Sequence, residues 1–184
     1  FPAFLATMNL SLQSIKTYYN YPTIIQSDFS KVESNSHFNL MFLNANKNFV
    51  VKKLDGKHKD VAMPVFDACV GNPPFIRQEL IQHKQRWNDL ALKEFGIKKI
   101  NKQSDLYVYY LMHTAAFLRE GGRLGYVISS SWLDVSFGAG LQKFLLDHFK
   151  IIAIIDHQQT RSFETALINT VILILEKSND IKVR

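Results

Sequence analysis

Apolar residues are spaced along the chain in two different patterns. In residues 3–16 they return at intervals of two to four positions, which predicts a helix with one apolar face. A second helix is predicted over 104–119, where one face is formed by Tyr107, Tyr110, Leu111, Thr114 and Phe117. A third helix is predicted over 141–149. Short unbroken apolar runs between the helices predict strands, and these runs lie within residues 62–70, 123–129, 151–155 and 169–175.

The helix over 104–119 has recognisable signals at both ends. Ser104 is a candidate N-cap with Asp105 in the first turn, and Gly121-Gly122 is expected to end the helix. Residues 77–95 are more polar and are predicted to be partly helical.

The order of these elements indicates the fold class. After Pro74 we predict helix, strand, helix, strand, strand. Near-continuous apolar strands are usually buried on both faces, and their alternation with helices is typical of an open α/β sheet. Because no helix separates the last two strands, we expect a mostly parallel sheet with one antiparallel hairpin at its edge.

Residues 30–61 follow neither of these two patterns. They alternate like strands around 38–43 and 48–54, and Asp55-Gly56 marks a turn. We therefore predict an irregular or hairpin-like insertion. Just before it, residues 23–25 form a short predicted strand that ends in a polar turn at Asp28-Phe29.

Composition limits the classes of protein that remain. Of the 184 residues 47% are hydrophobic and 21% are charged, which is typical of one globular domain. The single cysteine and the scattered histidines favour a metal-free intracellular protein. No apolar run is long enough to span a bilayer, and the first residues do not form a signal peptide. Because the chain begins at Phe1 rather than methionine, we expect it to be part of a longer protein.

The strand predicted within 62–70 leads into the most informative segment, Asn72-Pro73-Pro74-Phe75, which we call the proline loop. Neither proline can donate to a strand ladder, so the chain must leave the sheet there. The Asn72 amide oxygen and the Pro73 carbonyl oxygen can accept both hydrogens of a planar –NH2 group and so free the nitrogen lone pair. Phe75 can stack on the ring that bears the amine. The alternative is an ordinary loop turn, since Asn-Pro often begins one.

This loop and the sequence after it resemble the S-adenosylmethionine-dependent amino methyltransferases. The resemblance is to the N6-adenine DNA methylases of type II, type IIG and related restriction–modification or phage-defence systems. The segments that carry it are residues 71–79, 104–107, 121–128, 131–133, 141–146, 155–156, 163–166 and 169–172. Methylases of guanine N2 in RNA and of protein glutamine share the Asn-Pro-Pro-aromatic motif, and they remain alternatives. A non-catalytic DNA-binding module of the same fold is another, whereas the absence of a glycine fingerprint disfavours an oxidoreductase-like dinucleotide binder.

The resemblance implies a Rossmann-like methyltransferase fold and a role for particular residues. Asp28 would accept a hydrogen bond from the adenine amine of S-adenosylmethionine, with Phe29 near its ring. Phe75 and Phe163 would form the two walls around a target adenine that has been flipped out of the duplex. The alternatives are a turn cap for Asp28 and a packing role for Phe29 and Phe163.

The family also has a glycine-rich cofactor motif, expected before Asp28, and a target-recognition domain, expected after Arg184. Neither is found in residues 1–184, so we expect this chain to be the catalytic part of one methyltransferase domain and to be inactive by itself. The implied partners are double-stranded DNA and the remainder of the parent polypeptide. The implied location is the cytoplasm of a bacterium or archaeon, with no membrane and no metal.

The formal net charge of +6 and the pI near 9.4 favour an anionic partner. Residues 76–103 hold seven basic and three acidic side chains, so this segment supplies +4 of that charge. A solvated loop face is the alternative to a DNA contact. Trp87, in the same segment, is predicted to pack rather than to stack on a base. The residues predicted to contact the DNA backbone are Arg77, Lys84, Arg86, Lys98 and Lys99.

Overall fold

The computed structural model describes residues 27–34, 37–39, 60–156 and 169–180. The chain divides into two units, Phe1–Pro64 and Val65–Arg184. Several predictions fall outside the described residues. They are the helix over 3–16, the strands over 23–25 and 48–54, and the role of Phe163.

In the first unit, two short strands pair antiparallel. They are β1 (His37–Asn39) and β2 (Asp60–Ala62), with Phe38 opposite Val61. β1 falls in the patch that alternates around 38–43, but its described partner is β2 rather than residues 48–54. The insertion over 30–61 stays a prediction.

The second unit contains a four-stranded sheet. Its strands are β3 (Phe66–Gly71), β4 (Leu118–Ser129), β5 (Phe149–Asp156) and β6 (Thr170–Lys177), in the order β3-β4-β6-β5. β3 and β4 are parallel, while β6 runs antiparallel to both β4 and β5. The β5–β6 hairpin therefore lies at an edge of the described sheet, as the sequence predicts. The last strand nevertheless takes an interior position, because it inserts between β4 and β5.

Among the described residues three α-helices accompany this sheet: α1 (Lys84–Phe95), α2 (Leu106–Ala115) and α3 (Gly138–His148). α2 packs between α1 and β4, and every one of its residues except Tyr110 is buried. A helix buried on nearly all sides has no polar face, which explains its almost continuous apolar sequence. α3 packs against β5.

The helix predicted over 104–119 is shorter than expected at both ends. Asp105, not Ser104, occupies the N-cap position, and the helix ends at Ala115. β4 begins only three residues later, at Leu118. The prediction that the two glycines end this helix is therefore wrong.

Gly121 and Gly122 instead lie inside β4. Gly121 has φ +71°, a conformation that glycine adopts without strain. A Cβ on Gly122 would lie 2.9 Å from the Arg119 carbonyl oxygen and 3.1 Å from that of Phe66. The register between β3 and β4 shifts at this point. The glycines thus permit a close, irregular approach of two strands, which a local pattern does not distinguish from a helix end.

The expectation that the apolar strands are buried on both faces is wrong for β3 and β5, which form the two edges of the described sheet. Most of their residues are exposed. The interior strands β4 and β6 hold the core, with Leu124, Ile128, Leu173 and Leu175 fully buried. No helix in the described part of the chain is long and apolar enough to cross a membrane.

Candidate functional site

The proline loop leaves the sheet directly after Gly71, the last residue of β3. Gly71 lies opposite Tyr126 of β4, and a Cβ at this position would come 2.9 Å from the Tyr126 Cε1. A larger residue there would have to displace a buried aromatic ring. Asn72 and Pro74 are exposed, whereas Pro73 is buried. The tyrosine ring and the buried proline together fix the direction in which the loop departs.

Two hydrogen bonds join the segment after the loop to the start of α2. The Leu106 N–H donates to the Ile76 carbonyl at 3.0 Å. The Gln78 N–H donates to Oδ1 of Asp105 at 2.9 Å. Within the segment, the Ile76 N–H donates to the Pro74 carbonyl at 3.0 Å. The loop is thus held from both sides, by β3 before it and by the α2 N-terminus after it.

Asp105 has an unusual position for an N-cap residue. Its side chain makes no hydrogen bond to the first turn of α2, because it accepts from Gln78 instead. Burial raises the pKa of this carboxyl, and the Gln78 hydrogen bond works against that rise. The carboxylate therefore serves the loop rather than the helix.

A cavity of about 450 Å³ opens beside the loop. Its walls come from the loop, the start of α2, the end of β4 with the turn that follows, and the residue before β6. The residues that line it are Phe75, Arg77, Asp105, Tyr107, Ser129, Ser130, Ser131, Asp134, Val135 and Asn169. Its volume is within the roughly 300–1,000 Å³ that small-molecule sites usually occupy. One concave surface thus brings together polar strand ends and the half-buried ring of Phe75.

Hydroxyl groups line the side of the cavity formed by β4. Ser129 Oγ donates to Ser131 Oγ at 3.0 Å and accepts from the Ser131 N–H at 3.2 Å. Tyr107 Oη lies 3.4 Å from Ser131 Oγ. Burial raises the pKa of Tyr107, and the hydrogen bond with Ser131 works against that rise. These groups offer hydrogen bonds of both directions to a polar ligand.

The sequence alone did not identify Tyr107, Ser129 and Ser131 as residues of the site. The signal was present, since Ser129-Ser130-Ser131 directly follows an apolar strand, at the edge where open α/β sheets bind ligands. Tyr107 carries no such signal, because its hydroxyl contact is with Ser131, 24 residues away along the chain.

The predicted site residues of the second unit separate into groups. Phe75 and Arg77 line the cavity, while Asn72, Pro73 and Pro74 lie in the adjoining loop and are not part of its lining.

The predicted DNA-contacting residues also differ among themselves. Lys84 Nζ donates to the carbonyls of Gln78 at 3.1 Å and Lys102 at 2.7 Å, so it ties the segment after the loop to the α1–α2 connection. Arg77, Arg86, Lys98 and Lys99 are exposed. Lys99 also lines a separate, mostly apolar cavity of about 280 Å³ between the helices. All five stay predictions as DNA contacts.

In the first unit, Asp28 acts as a turn cap. Its Oδ1 accepts from the Ser30 N–H at 3.0 Å and from Ser30 Oγ at 2.9 Å, at the start of the short 3-10 helix Phe29–Lys31. This is the alternative that the sequence leaves open for Asp28. The cap occupies Oδ1, and a contact of Asp28 or Phe29 with a cofactor stays a prediction.

Two residues given no catalytic role in the sequence have clear structural ones. His113 Nδ1 lies 2.8 and 3.0 Å from the two carboxylate oxygens of Glu94, and this buried pair joins α2 to α1. Trp87 is buried against Tyr109, Tyr110 and His113, so the prediction that it packs is confirmed. Among the described residues no group of three or more His, Cys, Asp or Glu side chains could hold a metal ion.

Comparison with known proteins places this arrangement in a family. The Type II methyltransferase M.BstVI of Geobacillus stearothermophilus is 38% identical over 101 residues, which are 54% of this chain and 17% of that protein. The Type II restriction enzyme and methyltransferase RM.Eco57I of Escherichia coli is 32% identical over 119 residues, or 62% of this chain and 11% of that protein. The chain thus spans less than a fifth of the length of these relatives.

A solved structure shares the fold. It is a Listeria monocytogenes protein assigned to the class I S-adenosylmethionine-dependent methyltransferases, with a TM-score of 0.50 and 21% identity over 66% of this chain and 34% of that one. The Rossmann-like methyltransferase fold predicted from the sequence is confirmed. The family model of the Eco57I restriction-modification methylases matches residues 4–163. With most of its length matched, the chain belongs to the Eco57I restriction-modification methylase family.

Proposed function

We propose that this chain is the catalytic part of an enzyme that transfers a methyl group from S-adenosylmethionine to the N6 amine of adenine in duplex DNA. The enzyme would act in a restriction–modification or phage-defence system. The family and the shared fold support methyl transfer and this methyl donor. The observation that carries the choice of an exocyclic amine is the proline loop, held at the carboxyl end of β3 beside a cavity.

The loop suits the chemistry of an amine nucleophile. An sp² amine is a poor nucleophile, because its lone pair is delocalised into the ring. The Asn72 amide oxygen and the Pro73 carbonyl would accept its two hydrogens and stabilise the positive charge that develops as the N–C bond forms. Acceptors fixed before the reaction cost no reorganisation during it. The hydrogen bonds from Leu106 to Ile76 and from Gln78 to Asp105, which hold the segment directly after the loop, support this proposal.

The cavity suits a base that has left the stack. The N6 atom of adenine is inaccessible within a duplex, so the base must be flipped out. Phe75 is half-buried and lines the cavity, where its ring offers a stacking surface. The hydroxyl groups of Tyr107, Ser129 and Ser131 offer hydrogen bonds to its polar edges. Phe163 would supply the opposite wall.

Exposed basic residues would guide the duplex. Arg77 lines the cavity and is exposed, so it is the predicted backbone contact nearest to the flipped base. Lys98 and Lys99 extend the positive charge along the α1–α2 connection. In the first unit, Asp28 and Phe29 would hold the adenosine part of the cofactor.

The test is methyl transfer by the full-length protein that contains this chain. With duplex DNA and labelled S-adenosylmethionine, we expect N6-methyladenine among the hydrolysed nucleosides. Asn72→Ala should lower kcat by about 100-fold or more, because it removes a transition-state acceptor, while cofactor affinity measured by calorimetry stays unchanged. Asn101→Ala, an exposed asparagine in the α1–α2 connection, is the matched control.

Two results would contradict the proposal. One is unchanged turnover in Asn72→Ala. The other is methylation of ribosomal RNA or of a protein glutamine in place of duplex DNA, which would reassign the same loop to a different amine.

A further inference from the structure

Three hydroxyl groups form a hydrogen-bonded chain in the wall of the cavity beside the proline loop. Ser129 Oγ lies 3.0 Å from Ser131 Oγ, and Tyr107 Oη lies 3.4 Å from the same Ser131 oxygen. All three residues line the cavity, together with the ring of Phe75. They come from separate elements, since Tyr107 lies in α2, Ser129 ends β4 and Ser131 lies in the turn after it.

The direction of each hydrogen bond in this chain follows from counting donors and acceptors. The Ser131 N–H donates to Ser129 Oγ at 3.2 Å, and the Ser129 hydroxyl donates to Ser131 Oγ. Tyr107 is only 1% exposed, so its hydroxyl proton needs an acceptor within the protein, and among the described residues it reaches Ser131 Oγ. A phenol is also more acidic than an aliphatic hydroxyl, which favours tyrosine as the donor and serine as the acceptor.

Ser131 is thereby left with one free hydrogen-bonding function. A serine hydroxyl has two acceptor lone pairs and one proton. Ser129 and Tyr107 occupy both lone pairs of Ser131 Oγ, so its proton must point away from them. The Ser131 side chain is partly exposed and lines the cavity, where a ligand can accept that proton. Ser131 is thus a donor of fixed direction rather than an adaptable hydroxyl.

We propose that Ser131 selects the target base by donating a hydrogen bond to N1 of the flipped adenine, and that Tyr107 is the positioning residue that fixes the direction of this donor. The proposal rests on the proposed function, in which a flipped base lies against Phe75. N1 is the acceptor next to the N6 amine on the Watson–Crick edge, and enzymes that flip a base read it along that edge. Guanine carries an N–H at N1, so two donors would face each other there and one would stay unsatisfied.

Replacement of one atom of the DNA tests the contact. Two duplexes differ only in the target base, which is adenine or 1-deazaadenine, where a C–H stands in place of N1. Methyl transfer by the full-length protein that contains this chain gives kcat/KM for each, and their ratio is the preference for adenine. In Ser131→Ala this preference should fall by about tenfold, because the donor that distinguishes the two bases is gone. The intrinsic reactivity of the two amines and the folded fraction of each variant cancel when the preferences are compared.

Two further variants separate the contact from its support. Ser130→Ala is the matched control, since Ser130 lines the same cavity but its hydroxyl donates to the Asn169 carbonyl at 3.4 Å. Its preference for adenine should equal that of the unsubstituted protein. Tyr107→Phe frees one lone pair of Ser131 and lets its proton turn away from the cavity, so the preference should fall by about threefold. A tyrosine that only packs would leave the preference unchanged.

The results distinguish a failure of this proposal from a failure of the proposed function. If the unsubstituted protein forms no N6-methyladenine in the adenine duplex, both are overturned. If it forms N6-methyladenine but Ser131→Ala keeps the same preference, only the contact of Ser131 with N1 is overturned. An equal fall of the preference in Ser130→Ala would show a general disturbance of the serine turn and would also overturn that contact. An unchanged preference in Tyr107→Phe overturns the positioning role of Tyr107.

Discussion

Two hydrogen bonds join the segment after Asn72 to the start of α2, and the side chain of Asp105 takes part in one of them. Asp105 accepts from the Gln78 N–H, and the other bond joins two main-chain groups, Leu106 N–H and Ile76 C=O. Substitutions at Asp105 should therefore move the loop without altering its chemistry.

Asp105→Ala leaves the Gln78 N–H without its acceptor, so we expect the free energy of unfolding to fall by about 1–2 kcal/mol. Asp105→Asn keeps an acceptor oxygen and removes a partly buried charge, so its effect should be smaller. Urea denaturation measures both. An equal loss of unfolding free energy in the two variants would show that the charge of Asp105, not its hydrogen bond to Gln78, stabilises the fold.

Two buried tyrosines should respond oppositely to removal of their hydroxyl groups. Tyr109 Oη is buried, and no group in the described part of the chain bonds to it. Tyr109→Phe should raise the free energy of unfolding by about 1 kcal/mol, because an unsatisfied polar group is removed. Tyr126 Oη bonds to Thr114 Oγ1, so Tyr126→Phe should lower it by about 1–2 kcal/mol. Chemical denaturation of the two variants measures both changes in the free energy of unfolding. Destabilisation by Tyr109→Phe would reveal a partner for that hydroxyl.

At the scale of elements, the end of α2 shows why its length was overestimated from the sequence. The helix ends at Ala115 and the chain turns directly into β4. Lys177, the last residue of β6, donates to the carbonyls of Ala115 at 2.8 Å and Leu118 at 2.7 Å. The residue that satisfies this helix end lies some 60 positions away, so no local pattern around 104–119 indicates it.

Lys177→Met keeps the aliphatic stem and removes the donors. We expect a loss of about 1–2 kcal/mol in the free energy of unfolding, because two carbonyls lose a charged partner. The control is Lys143→Met, since Lys143 makes an exposed i,i+4 ion pair with Asp147 and should contribute about 0.5 kcal/mol or less. Thermal or urea unfolding compares the two, and similar losses would contradict a capping role for Lys177.

The strands also have one property that the local sequence predicts and one that it does not. All four apolar runs predicted as strands are strands, since an unbroken apolar run bounded by turn residues is a local signal. Burial of those strands is not local. In the described sheet β4 and β6 are interior and hold the core, whereas β3 and β5 are edges and largely exposed, although an apolar run predicts each of the four. Strand order, which no single segment contains, decides the difference.

At the scale of the whole molecule, the buried tyrosines make stability dependent on alkaline pH. Burial raises the pKa of Tyr109 and of Tyr126 to about 12, from a usual value near 10. Above about pH 10 the unfolded chain loses these protons while the folded chain keeps them, so stability is full below that pH and falls as the pH rises toward 12.

We therefore expect the urea midpoint to decline steadily above about pH 10.5. Burial lowers the pKa of Lys177, which acts in the opposite direction, but only below about pH 10.5, where the unfolded lysine is still protonated. Tyr126→Phe should make the decline shallower than in the unsubstituted chain. A midpoint that stays constant up to about pH 11.5 would contradict the raised pKa values.

The sequence by itself determined the elements of the second unit, the α/β class, and the position of the proline loop at the end of a strand. It also indicated the family, which the match over residues 4–163 confirms. These depend on runs of neighbouring residues, whose apolar spacing, prolines and turn signals act locally. The Asp28 cap is local as well, and the sequence left it open as an alternative.

The tertiary structure alone decided which strands and side chains are neighbours. It inserted β6 between β4 and β5, joined Asp105 to Gln78 across 27 positions, and brought Ser129 and Tyr107 to one cavity. It also joined Lys84 to the carbonyls of Gln78 and Lys102, and placed β5 at an edge of the described sheet. Each of these depends on contacts between distant parts of the chain, whose free energy is set by packing of the whole sheet and its helices.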